Sequence, residues 1–306
     1  MSVTIKSNSR AAANLKYAVR DNLLKTFATT SNNVDGIQLF SLDDKFSYQK
    51  QANPSVGDVV NNLGSGNADM TFGKAGSNVG ELTWDNATKS IDLSTVSVGT
   101  NGIRTSDNWL ATEFNGQNKH FILSAYVYIP NPADWHAKSG GLVDFVGTIT
   151  SANSAVQTEI FGSLSFIHHP TDLKEYAIWA RFSRSEDAAG VYSGITYSVE
   201  GTDTSFPFGQ FAQVSLVRDS TGNYLYIVSA KGVVKIKGKA TGNTGKDVAV
   251  GTKITWGRGG AYSAALTNKY KLSRGFIINL NKHQISDIQS FLKADWDRQV
   301  LRGWIL

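Results

Sequence analysis

The chain has 306 residues, 41% of them hydrophobic and 18% charged, an ordinary globular composition with enough length for a large core. It contains no cysteine, which excludes a disulfide framework and thiolate metal sites. The net charge of +5 is spread thinly. No apolar run approaches the roughly 20 residues that cross a bilayer, and the opening residues lack the apolar stretch of a signal peptide, so synthesis in a cytosol without export by the usual route is expected.

Residues 9–28 read as a helix. Ser9 is placed to cap it, and Leu15, Val19, Leu23 and Phe27 recur at i+4 as an apolar stripe that Ala18 and Leu24 widen. Residues 29–66 are rich in Asn, Ser, Gly and Asp, with one strand expected over 37–42 and a turn cluster over 61–67. Short strands separated by turns follow, at 69–72, 81–84, 90–93, 121–129, 142–150, 159–168, 176–182 and 194–199. Their spacing predicts an all-β sandwich rather than βαβ units.

The C-terminal third is the most regular. An alternating strand over 211–218 leads through Asp219-Ser220-Thr221-Gly222-Asn223, a hairpin loop with a glycine available for positive φ, into strands at 224–229 and 233–237. Further strands are expected at 254–256 and 270–279. Ser286 and Gln289 then form a capping box, with Ser286 as the expected cap, ahead of a helix whose Ile288, Phe291, Leu292 and Trp296 share a face.

Few residues have the spacing that chemistry needs. His168 and His169 are adjacent, and in a strand they point to opposite faces, so a surface strand end is the better reading than a metal site. Residues 240–247 nearly match a phosphate-binding loop. Asp247 stands where Ser or Thr is needed, and a strand rather than a helix follows, so an ordinary surface loop is expected. Asp43, Asp44, Asp134 and Asp187 lack diagnostic calcium spacing. Lys231, Lys235, Lys237, Lys239 and Lys246 form the one basic cluster. Lys235 and Lys237 alternate with Val234 and Ile236, so both lysines sit on one strand face; this reads as a solvated outer surface, with a patch for an anionic partner such as nucleic acid or acidic glycan as the alternative, and no nucleic-acid module accompanies it. Trp109, Trp135, His136, Tyr192 and Tyr262 fall in expected loops or beside glycine. They are the candidate sugar-stacking residues, weighed against packing as plugs at the sandwich end.

Taken together, Phe121-Ile122-Leu123-Ser124-Ala125-Tyr126-Val127, the stretch QVSLVRDSTGNYLYI at 213–227, residues 254–260 and residues 275–292 resemble a concanavalin A-like jelly roll of the laminin-G-like type. Gly57-Asp58-Val59-Val60 and Leu82-Thr83-Trp84-Asp85 resemble the opening strands of that family. The resemblance covers about residues 35–298. It implies an all-β antiparallel jelly-roll sandwich, here with an N-terminal amphipathic helical segment at 1–34, a short C-terminal helix and a tail at 299–306. The alternating carboxylates of the glucanase branch are missing, since Ser185-Glu186-Asp187 is adjacent rather than alternating, and a non-enzymatic protein is expected.

A lectin-type sandwich without an export signal fits a bacteriophage virion protein of the tail, baseplate, fibre or decoration class, made in the host cytoplasm. The resemblance then implies other virion proteins and further copies of the chain as partners, with Leu15, Val19, Leu23, Phe27 and Trp304 as assembly residues, and host surface glycan as ligand. No cofactor, metal, nucleic acid or membrane insertion is expected. A free carbohydrate-binding lectin is the second reading and a polysaccharide-degrading enzyme the third.

Overall fold

Alternation of apolar and polar residues over short segments leaves each strand one face to bury, and two sheets packed face to face satisfy that need. The computed structural model describes residues 36–64, 68–75, 80–96, 99–136, 140–149, 161–168, 175–183, 192–238, 247–258 and 268–303. The expected helix at 9–28, and with it Leu15, Val19, Leu23 and Phe27, lies outside the described residues, as do Tyr262 and Trp304.

In chain order the strands are β1 (Ile37–Ser41), β2 (Val59–Val60), β3 (Met70–Ala75), β4 (Thr83–Asp85), β5 (Ser90–Asp92) and β6 (Thr100–Arg104). A short helix, α1 (Trp109–Phe114), precedes β7 (Phe121–Tyr128), β8 (Leu142–Ile149), β9 (Ser163–His168), β10 (Tyr176–Ser183) and β11 (Tyr192–Val199). The remainder is β12 (Phe211–Asp219), β13 (Gly222–Ser229), β14 (Gly232–Lys237), β15 (Lys253–Arg258), β16 (Lys271–Asn279) and the helix α2 (Ile288–Leu301).

All pairings are antiparallel. The first sheet runs β14-β13-β12-β7-β16-β5-β4, with β1 also on β16, and the second runs β11-β10-β9-β8-β15-β6-β3-β2. The sandwich is thus the jelly roll that the sequence resemblance implies. Val214, Leu216, Leu123 and Ile277 of the first sheet meet Phe145, Phe166, Ile178 and Trp256 of the second in one core. Trp256 also ties the sheets together, because its indole N–H donates to the Ser124 carbonyl at 2.9 Å. Gly275 lies beneath that indole. A Cβ there would stand 2.5 Å from Trp256 Cδ1 and 2.7 Å from a Phe40 ring carbon.

The first sheet is apolar on its outer face as well. Ile37, Leu39, Ile122, Val217, Phe276 and Ile278 form a second cluster there with Leu292 and Trp296 of α2. The periodic apolar face predicted for this helix therefore has a partner. Its cap differs by one residue from expectation: Asp287, not Ser286, accepts the Ser290 N–H at 3.0 Å. Among the described residues, no helix is long and apolar enough to cross a membrane.

Candidate functional site

Where α2 stops covering the outer face of the first sheet, a groove of about 850 Å³ opens beside β13 and β14. The β12–β13 turn forms one end, residues 280–289 form the opposite bank, and Tyr224, Tyr226 and Lys235 contribute the sheet side. Antiparallel register sets this sheet side: Tyr224 pairs with Lys237 and Tyr226 with Lys235, and directly paired residues share a face.

The turn is held from within. Asp219 Oδ1 accepts from the Thr221 N–H at 2.7 Å, the Thr221 hydroxyl at 2.6 Å and the Gly222 N–H at 3.0 Å. The Thr221 hydroxyl also lies 2.8 Å from the Tyr224 hydroxyl, which fixes that ring. The Lys235 ammonium lies 4.9 Å from the Tyr224 centroid and 5.5 Å from that of Tyr226, and Lys237 lies 5.7 Å from Tyr224. Cation–π attraction thus parks both lysines on the tyrosine floor. Burial raises the Tyr226 hydroxyl pKa, against the pull of the Lys235 amine. The hydrogen bond with Tyr226 in turn raises the pKa of Lys235, so this ammonium keeps its charge through the neutral range.

Asn281 is anchored on the opposite bank by donating its side-chain amide to the Asn118 carbonyl at 2.6 Å. Asp287 is occupied as the helix cap. Its second oxygen accepts the Ser290 hydroxyl at 2.6 Å, and this bond, with the Ser290 N–H, lowers its carboxyl pKa. His120 closes one end. Burial, aided by the Arg218 charge and opposed by Asp219 and Asn281, lowers its pKa and favours the neutral ring. The lining is therefore mostly hydroxyls and carboxamides with a tyrosine–lysine floor.

The candidates singled out in the sequence lie elsewhere. Trp109 is only 6% exposed and packs edge-on to Phe114. Trp135 is equally buried, wedged against Phe166, Tyr176 and Phe208 with centroids at 5.0, 5.3 and 6.2 Å. His136 is buried beside His168, their rings 6.0 Å apart. None of these three offers an open face to a sugar ring. Trp109 and Trp135 plug the sandwich, because an apolar ring beside a core gap gains more from burial than from water. Tyr192 belongs to β11, with its side chain outside the described residues.

The lysine alternation does place Lys235 and Lys237 on one face; Lys235 lines the groove, and Lys237 lies beside it against Tyr224. Asp43 accepts from Ser41 and lies 3.6 Å from Arg302, Asp44 accepts the Phe46 N–H, and Asp134 pairs with Lys269. Each is engaged separately. Tyr224, Tyr226, Asn281 and Gln284 carried no sequence signal beyond strand alternation and loop composition.

A polar cluster also lies on the outward side of the second sheet. Arg181 donates to Asp144 at 2.7 Å with both side chains at 1% exposure or less, and Ser165 donates to the same carboxylate. Gly194 makes room for Trp179, over which Arg181 stacks at 5.1 Å. This pair is sealed from solvent.

No family model and no curated protein matches the chain. Solved structures similar to it include a Trypanosoma rangeli sialidase in complex with sialic acid (13% identity, TM-score 0.46, covering 89% of this chain and 38% of that one). Others are the CBM2 module of Lactobacillus casei BL23 phage J-1 evolved Dit (13%, TM-score 0.38, 80% and 90%) and a legume lectin-like domain from Entamoeba histolytica (10%, TM-score 0.35, 70% and 90%). The chain spans between 33% and 38% of the length of the sialidases. Their presence corrects the expectation of a non-enzymatic protein. The missing glucanase carboxylates exclude that one hydrolase pattern and not catalysis at large.

Proposed function

We propose that the chain is a saccharide-binding β-sandwich and that the groove between the 219–222 turn and residues 280–289 is its binding site. The observation that carries this reading is the lining. Thr221, Asn281, Gln284 and Ser286 present hydroxyls and carboxamides, which both donate and accept, around a tyrosine floor. A sugar ring presents neighbouring hydroxyls that need both. The volume of about 850 Å³ falls within the roughly 300–1,000 Å³ usual for small-ligand sites. Such sites are mostly apolar, and the polar lining here disfavours an apolar ligand. A glycan array with the wild-type chain and the Asn281→Ala/Gln284→Ala variant tests the reading. Binding that weakens in the variant is expected, and a wild-type chain that retains no glycan overturns it.

The setting proposed for this module is a bacteriophage particle, assembled in the host cytoplasm with other virion proteins and further copies of the chain. What supports it is the jelly-roll resemblance of residues 208–298, together with the expected apolar stripe of Leu15, Val19, Leu23 and Phe27. Mass spectrometry of purified particles is the test, and absence of the chain from them removes this setting without touching the glycan site.

A further inference from the structure

The groove has a feature that a site for neutral sugars does not require. Lys50, Lys74, Lys253, Lys269, Lys271, Lys282 and Lys293 each lie within ion-pair distance of a carboxylate. Among the described residues Lys45, Lys89, Lys231, Lys235 and Lys237 show no such partner, and of these Lys235 and Lys237 rest on tyrosine rings. The groove does contain two carboxylates, but they are turned to other work. Asp219 holds its turn through one oxygen, and both oxygens of Asp287 accept from Ser290. The two carboxylates offset the field of the lysines but leave the ammonium donors uncommitted to any anion.

We infer that the saccharide bound here is acidic, its anionic substituent received by the Lys235 and Lys237 ammoniums as they lift from the Tyr224 and Tyr226 rings. This rests on the saccharide reading above. The exchange has a physical direction. A cation–π contact at an exposed site is weak, whereas an ammonium–carboxylate or ammonium–sulfate hydrogen bond is charge-assisted and stronger. The same movement uncovers the part of each ring on which an ammonium rests; Tyr224 and Tyr226, 8% and 3% exposed, are otherwise packed into the cluster beneath α2. The lysines therefore act as both lid and anion receptor. A neutral sugar has to displace them without compensation, and an acidic one draws them off.

The test is titration calorimetry of the full chain with a galacturonate trisaccharide, a sulfated galactose trisaccharide and the neutral galactose trisaccharide. These follow an array that carries uronate, sulfated and neutral glycans. Array binding is expected to concentrate on acidic members. Lys235→Met is expected to weaken them by about tenfold, equivalent to about 1.4 kcal/mol, without weakening neutral glycans, which no longer displace the ammonium, and Lys235→Arg is expected to retain most of the binding. Raising the salt concentration should weaken the acidic ligands only. Uronate and sulfate arms distinguish which anion is preferred, and either supports the inference. A bound set made up of neutral glycans, or acidic binding unaltered by Lys235→Met, overturns it and leaves the saccharide site standing. No glycan binding at all overturns the site itself. Tighter binding of a single-stranded oligonucleotide than of any acidic glycan also overturns it. The thermal unfolding of each variant shows that the fold persists.

Discussion

Tyr126 donates its hydroxyl to Asp295 across 2.7 Å, joining the middle of the first sheet to the C-terminal helix. The Trp296 ring stacks on the same tyrosine at 5.8 Å, and Arg274 and Arg298 each reach Asp295 at 3.1 Å. Arg274 and Asp295 are both fully buried, so removing the carboxylate strands a buried cation. Asp295→Ala is expected to cost about 3–5 kcal/mol in urea unfolding. A loss below about 1 kcal/mol would show that the helix docks through its apolar face alone.

Gly275→Ala is expected to destabilise the fold by about 1–3 kcal/mol, since the new methyl meets two aromatic rings that have little room to move. Thermal unfolding measures this. Unchanged stability would mean that the Trp256 indole shifts without losing its bond to Ser124.

Asp85 links β4 to β16 through Lys271. Burial raises its pKa, but hydrogen bonds from Lys271, Thr88 and Ala87 outweigh burial and hold it at about 2. A carboxyl depressed on folding stabilises above its unfolded pKa of about 3.9, and that contribution is lost as pH falls towards the folded value. The wild type should therefore lose stability between about pH 4 and pH 2, and Asp85→Asn should show a shallower slope there. Parallel slopes in acid unfolding would count against the linkage.

Asp219→Ala removes the acceptor for three donors in the β12–β13 turn. Since these lie at the surface, the expected stability loss is small, about 0.5–1.5 kcal/mol. The loss of glycan affinity should be larger, because Thr221 no longer fixes the Tyr224 hydroxyl. An affinity equal to wild type would mean that the turn does not organise the groove.

Most strands were legible because alternation and glycine-bearing turns report directly on a half-buried sheet. Where that condition fails, so does the reading. Thr100, Asn101, Ile103 and Arg104 of β6 are all buried, so polar and apolar positions do not alternate and no strand was expected. Helix α1 spans only Trp109–Phe114, too short to show a 3.6-residue period, so Trp109 looks like a loop aromatic in the sequence. Ser286 and Asp287 each have a partner suited to capping a helix, and packing of α2 on the sheet, which selects Asp287, is not a local property. The groove draws on residues 120, 219–226, 235 and 280–289, common residue types that only the sheet register brings together. Strand alternation shows that Lys235 and Lys237 share a face, but in the sequence the tyrosines beneath them are ordinary strand residues.

The strand order also dictates a sequence of events in time. β16 sits between β7 on one side and β1 and β5 on the other, so Ile37 finds its partner only at Ile278, and Ile91, already paired with Trp84, gains its second neighbour only at Leu272. During synthesis the hairpins β8–β11 and β12–β14 emerge with their partners close behind. β1 and β5 must wait, apolar and unpaired towards β16, until residues 271–279 have left the ribosome. Pairings this distant are slow to form and leave sticky edges exposed meanwhile. The last strand to appear is the one that closes the first sheet, so a ribosome stalled before residue 271 leaves a chain that cannot complete its fold.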